Sequence, residues 1–206
     1  MELFQLFLVV VFVTLSGALA PGPLFFYTLL EGTKSGTRGG LFISIGHTLF
    51  EFPYIMVLAL GLQSIFKEPL ARQIISFLGG GVLIIFGLIQ LYSSLTKRRW
   101  ESNLREKKIL KSSMLMGFLF TGLNPFFLLW WVSVGSKLIL DALILASIVG
   151  VITMYLFHIW IDYAFLILSA HLAKKGVNIL GLKAYPALLI SFSLILIFFG
   201  LYFILS

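Results

Sequence analysis

Long apolar runs, separated by short charged or glycine-rich breaks, recur from one end of this 206-residue chain to the other. They fall near residues 3–30, 41–62, 74–95, 114–134, 143–168 and 185–205. A helix crosses the hydrocarbon core of a bilayer in about 20 residues, so each run is long enough to span. At 60% hydrophobic and 11% charged residues the chain lies far from the composition of a water-soluble domain. The expectation is an all-α membrane protein with six transmembrane helices, leaving no length for a soluble catalytic, nucleotide-binding or nucleic-acid-reading domain. Cysteine is absent, which removes thiolate ligands, disulfides and thiol redox chemistry, and no cofactor is expected. Ala18-Leu19-Ala20 resembles a signal-peptidase site, but no Lys or Arg precedes the apolar stretch and Pro21 would follow the cut; the first run is therefore read as a span.

The net charge of +7 is read as a topology signal rather than as affinity for nucleic acid. Lys34 and Arg38; Lys97, Arg98, Arg99, Arg105, Lys107, Lys108 and Lys111; and Lys174, Lys175 and Lys183 fall in the odd-numbered loops, twelve basic residues in all. The even-numbered loops hold Lys67, Arg72 and Lys137. This bias predicts the odd loops in the cytoplasm and both termini outside the cytoplasmic (plasma) membrane. Residues 96–113 read as a solvated connector, with an amphipathic helix on anionic lipid as the other option.

Two internal correspondences organise the chain. The first and fourth runs are broken by Pro21-Gly22-Pro23 and by Asn124-Pro125, each followed by paired phenylalanines (Phe25-Phe26 and Phe126-Phe127). The second and fifth runs carry His47 with Glu51 and His158 with Asp162, a histidine followed four residues later by an acid, both pairs offset by 111 residues. One transmembrane domain over residues 1–206 is expected, with repeat one at about 1–96, a basic loop at about 97–113 and repeat two at about 114–206. Three helices per repeat is an odd number, so the second repeat enters the membrane inverted, the layout of many secondary transporters.

Each break frees backbone groups that lipid cannot satisfy, and restarts a helix whose N-terminus carries partial positive charge suited to a carboxylate. An acid near the bilayer centre costs about 3 kcal/mol on insertion scales, so Glu51 and Asp162 are expected to face a cavity, a partner or a proton. His47 and His158 lie one turn from their acids on the same helix faces, and Tyr54 and Tyr155 share those stripes, where they could complete polar walls. Glu31 reads as a solvated interfacial acid, and Gly79-Gly80-Gly81 with Gln90 as close helix packing. Trp130, Trp131 and Trp160 suit either a cavity wall or lipid.

Pro21-Gly22-Pro23, then Gly36, Gly39, Gly40 and Gly46, an acid in the second span, and Asn124-Pro125 after a basic loop resemble the lysine exporter (LysE/RhtB) family over nearly the whole chain. The resemblance implies export of amino acids across the cytoplasmic membrane, driven by the proton gradient or membrane potential. Two positions depart from the family pattern: Glu51 stands where an Asp is usual, and Phe126 where many members carry a basic residue or His.

The substrate site then comprises Pro21, Gly22, Pro23, Glu51, Asn124, Pro125 and Asp162, with Glu51, Asp162, His47 and His158 coupling protons. The expected partners are a small amino-acid substrate and membrane lipid, with exposed aromatic stretches suiting lipid or a homodimer interface. Two other readings stay open at this point: a divalent-metal exporter using His47, Glu51, His158 and Asp162 as ligands, and an intramembrane enzyme, for which no nucleophile or zinc-protease motif is present.

Overall fold

A computed structural model describes residues 2–18, 22–61, 69–95, 106–180 and 185–205, and all of the regular structure in these residues is helical. The first span divides into α1 (Leu3–Ala18) and α2 (Pro23–Ser35). Pro23 is the first helical residue of α2, where a missing N–H costs nothing. Then come α3 (Thr37–Ala59), α4 (Pro69–Leu95), α5 (Glu106–Gly122) and α6 (Pro125–Trp130). A π-helical turn, Trp131–Gly135, joins α6 to α7 (Ser136–Leu180), and α8 covers Tyr185–Leu205. Thr37–Ala59 and the joined stretch Pro125–Val177 are each long and apolar enough to cross a bilayer.

The boundaries differ from the expected spans in a systematic way. Residues 135–142 were expected to link the fourth and fifth spans, yet α6, the π turn and α7 run through them without interruption. Lys137 and Asp141, one turn apart, pair with each other, so these charges ride on the helix surface instead of ending it. The chain changes direction later, at Ala146–Ser147. In the same way α3 starts at Thr37 rather than 41, α7 carries Lys174 and Lys175 beyond the expected end at 168, and α5 takes in residues 106–113 of the expected connector. Residues 96–105, the centre of the basic loop, lie outside the described residues.

Two turns far apart in the chain share a backbone conformation. Gly36, between α2 and α3, has φ 58° and ψ −141°; Ser147, inside α7, has φ 52° and ψ −143°. Their spacing of 111 residues is the spacing of the His–acid pairs. This corner of φ/ψ space belongs almost entirely to glycine, so the serine holds strain of order 1–3 kcal/mol. Ser147→Gly is expected to raise the thermal midpoint in detergent, with about 1 kcal/mol of added stability; an unchanged or lowered midpoint would show that the serine is unstrained.

Helix α3 packs between α5 and α7; α1 and α2 lie along α7, and α4 pairs with α8. Between segments in lipid there is little hydrophobic driving force, and close backbone approach does the work instead. Gly46 meets the backbone of Met114 and Phe118, Gly117 meets that of Ile43, and on α4 Gly80 meets Gly200. Outward faces are apolar: Phe4, Phe12, Phe77, Ile144, Leu156 and Phe198 are all more than half exposed, as lipid-facing residues should be. Inside are two apolar cores. One gathers Leu6, Val10, Ile55, Trp131 and Met154; the other gathers Tyr27, Leu30, Ile43, Leu166 and Leu196. On α3 and on α7 the His–acid pair lies between residues of the two cores, forming a polar layer between them.

Candidate functional site

Four residues apart on an α-helix is one turn, so His47 and Glu51 stack on the inner face of α3, and His158 and Asp162 on that of α7. Packing of α3 against α7 then brings the two pairs into one cluster. His47 Nε2 lies 3.1 Å from Glu51 Oε2 and 3.5 Å from Asp162 Oδ2. His158 Nε2 lies 3.1 Å from Glu51 Oε1 and 2.9 Å from Asp162 Oδ2. Each imidazole therefore faces both carboxylates, its own and the one across the helix interface. All four side chains are buried, with Glu51 fully so.

The outer nitrogens are held by threonines on the neighbouring helices. His47 Nδ1 is 2.9 Å from Thr121 Oγ1 on α5, and His158 Nδ1 is 2.8 Å from Thr14 Oγ1 on α1. Thr121 donates its single hydroxyl proton to the Gly117 carbonyl at 2.7 Å, which leaves it as the acceptor for His47 Nδ1–H. With Nδ1 protonated, the Nε2 atom that faces two carboxylate oxygens is either protonated as well or opposed by a protonated acid, because a bare lone pair there would repel both. The hydrogen-bond inventory thus requires one proton shared between His47 and the two acids. Trp131, the first residue of the π turn, donates Nε1–H to Glu51 Oε1 at 3.1 Å. The π turn sets that indole, and Gly135 one turn on abuts its ring where a side chain would collide.

Both helix breaks open onto the same space. A cavity of about 390 Å³ is lined by Gly22, Pro23 and Asn124 together with His47, Glu51, His158, Asp162 and Trp131. The breaks face each other: a Cβ on Gly22 would lie 3.9 Å from Asn124 Nδ2. They are not equivalent, however. Asn124 Oδ1 accepts from the N–H groups of Phe126 (3.1 Å) and Phe127 (3.4 Å), so α6 caps its own first turn. Gly22 has no side chain with which to cap α2, and among the described residues no side chain caps that first turn.

Of the expected site residues, Gly22, Pro23, Glu51, Asn124, Asp162, His47 and His158 share this cavity. Pro125 is buried as the first residue of α6 and is not part of the wall, and Pro21 lies outside the described residues. One further expectation is corrected and two open ones are decided. Glu31 is buried, not solvated, because the turn at Gly36 folds α3 back so that Gly39 covers it, and Ser35 donates to its carboxylate. Tyr54 spends its hydroxyl on the Leu128 carbonyl at 3.0 Å, tying α3 to α6 instead of forming a cavity wall. Trp130 and Trp131 take the cavity, whereas Trp160 is half exposed on the outer face. Thr14 and Thr121 were not singled out as site residues, and Trp131 was read only as a cavity-wall or lipid-facing residue, not as a partner of Glu51. Each carried a weak signal: a hydroxyl in an apolar run, or a position two turns after Asn124 and hence on the same helix face.

His47, Glu51 and Asp162 each offer a donor atom within 4.8 Å of the others, so a divalent ion is chemically admissible here. No curated protein and no solved structure matches the chain. One family does, along most of its length and across both helix breaks and all four ionisable residues. Residues 15–206 match the LysE type translocator family, and the chain belongs to it, as a membrane transport protein of exporter type.

Proposed function

We propose that the protein exports a zwitterionic amino acid across the cytoplasmic membrane by alternating access. The observation that carries this reading is the meeting of both helix breaks and both His–acid pairs in a single cavity. The open first turn of α2 and the Asn124 side-chain amide supply donors for a carboxylate. Glu51 and Asp162 supply acceptors for an ammonium group. That group competes with the proton that the histidine network requires, so substrate binding and proton binding are alternatives at one place, which is what exchange needs. The two halves, α1 to α4 and α5 to α8, act as inverted repeats that rock about this site. The 111-residue offset supports this layout, being common to the His–acid pairs and to the Gly36 and Ser147 turns. Charge bias supports cytoplasmic basic loops and external termini.

Metal export is not favoured. The chain's family match is to translocators of the LysE type, and the helix breaks that share the cavity supply N–H donors for a carboxylate, which a metal ion would not use. Counterflow in proteoliposomes separates the two readings: labelled amino acids are expected to enter vesicles preloaded with unlabelled amino acid, and Mn²⁺ or Zn²⁺ is not. Metal flux without amino-acid exchange would reverse the assignment.

A further inference from the structure

We infer that the cavity selects neutral amino acids with large apolar or aromatic side chains and rejects dibasic and acidic ones, an inference that rests on the export reading above. Beyond the polar layer, the wall is aromatic: five phenylalanines and two tryptophans line it. Phe25 from α2 stacks on Phe165 from α7 with ring centres 5.4 Å apart, so the wall spans both halves of the molecule. Phe127 stands edge-on to His47 at 5.5 Å, and Trp131 edge-on to His158 at 4.9 Å, so aromatic surface begins directly beside the polar layer. A zwitterion with its ammonium at Glu51 and its carboxylate at Gly22 would extend its side chain along these rings.

Charge counting points the same way. Among the described residues, the ionisable lining consists of His47, Glu51, His158 and Asp162, with no Lys or Arg. Glu51 already receives three contacts, from His47, His158 and Trp131, and Asp162 two, from the same histidines. The substrate's own ammonium takes its place at these two acids, so a second ammonium carried along the aromatic wall meets no further carboxylate there, and a second carboxylate meets no fixed cation. Burying either charge against phenylalanine is strongly unfavourable. The volume, about 390 Å³, lies toward the small end of the ~300–1,000 Å³ of small-molecule sites, enough for one amino acid with a ring.

The test is counterflow by the full-length protein in proteoliposomes with labelled phenylalanine, leucine, threonine, lysine and glutamate. Phenylalanine and leucine are expected to exchange at least about tenfold faster than lysine and glutamate, a ratio within reach of pocket discrimination. Phe165→Glu, or Phe25→Glu if the first variant does not insert, adds a carboxylate to the wall and is expected to raise lysine exchange relative to phenylalanine by about tenfold. Lysine or glutamate exchanged as fast as phenylalanine by the unaltered protein would overturn this inference while leaving amino-acid export in place. An absence of exchange for every amino acid would overturn both.

Discussion

Glu51→Gln is expected to lower amino-acid counterflow about a hundredfold while the protein still inserts, purifies and melts as a folded species. The glutamine fills the same space, and its single carbonyl oxygen still accepts from Trp131 and from His158, which contact Glu51 Oε1 at 3.1 Å each. At the Oε2 position an amide N–H₂ would replace the acceptor that faces His47. Two consequences follow. The cavity loses half of its fixed negative charge, so a substrate ammonium has only Asp162 to meet; and the proton between His47 and the acids loses one of its two anionic partners. Removing one partner of a buried hydrogen-bonded charge pair costs a binding site about 2–5 kcal/mol, and a hundredfold corresponds to about 2.8 kcal/mol, within that range. Asp162→Asn should fall in the same direction with a smaller effect, since Asp162 lacks the tryptophan contact. Normal proton-coupled counterflow in both variants would remove these acids from the mechanism.

Gly46→Ala is expected to destabilise the protein by about 3 kcal/mol, read as a loss of thermal midpoint and of folded yield in detergent, although it adds only one methyl group. The added carbon would collide with the Met114 carbonyl and lie 2.9 Å from Phe118 N, and backbone on α5 cannot step aside as a side chain can. Overpacking of this kind costs about 1–3 kcal/mol, and this position belongs at the top of that range because α3 and α5 must separate. Separation would also pull Thr121 away from His47, so transport should fall with stability. The control is Gly81→Ala on α4, where a Cβ meets nothing within 4 Å; there the midpoint should hold or rise by up to about 1 kcal/mol from helix propensity. Equal behaviour of the two variants would show that α3 and α5 are less tightly packed than described.

Much of the fold and of the candidate site was legible in one dimension because the relevant physics is local or periodic. Apolar runs of bilayer length announce helices, proline beside glycine or asparagine announces a break, and a histidine four residues before an acid places both on one helix face whatever the helix packs against. Charges were a poorer guide to where helices end. Lys137 was read as part of a loop, yet its i, i+4 pair with Asp141 is as comfortable on a continuous helix.

What the tertiary structure alone decided are the contacts between segments far apart in the chain. Side-chain spacing along α3 and α7 is set by helix geometry, but whether His47 reaches Asp162 depends on how closely the two helices pack, and thus on small residues such as Gly40, which meets the backbone of Ile167. The same holds for Thr14 and Thr121, which fix the imidazoles from other helices, and for Trp131, which a π turn aims at Glu51. It holds also for Asn124, whose side chain satisfies its own helix and leaves the uncapped end at Gly22 as the freer of the two. Residue order alone determined that this chain forms apolar helices with two interruptions and two His–acid pairs, because those properties follow from bond geometry and solvation residue by residue. Their meeting in one cavity depended on three-dimensional packing, where a few ångströms of interhelical distance separate a hydrogen bond from none.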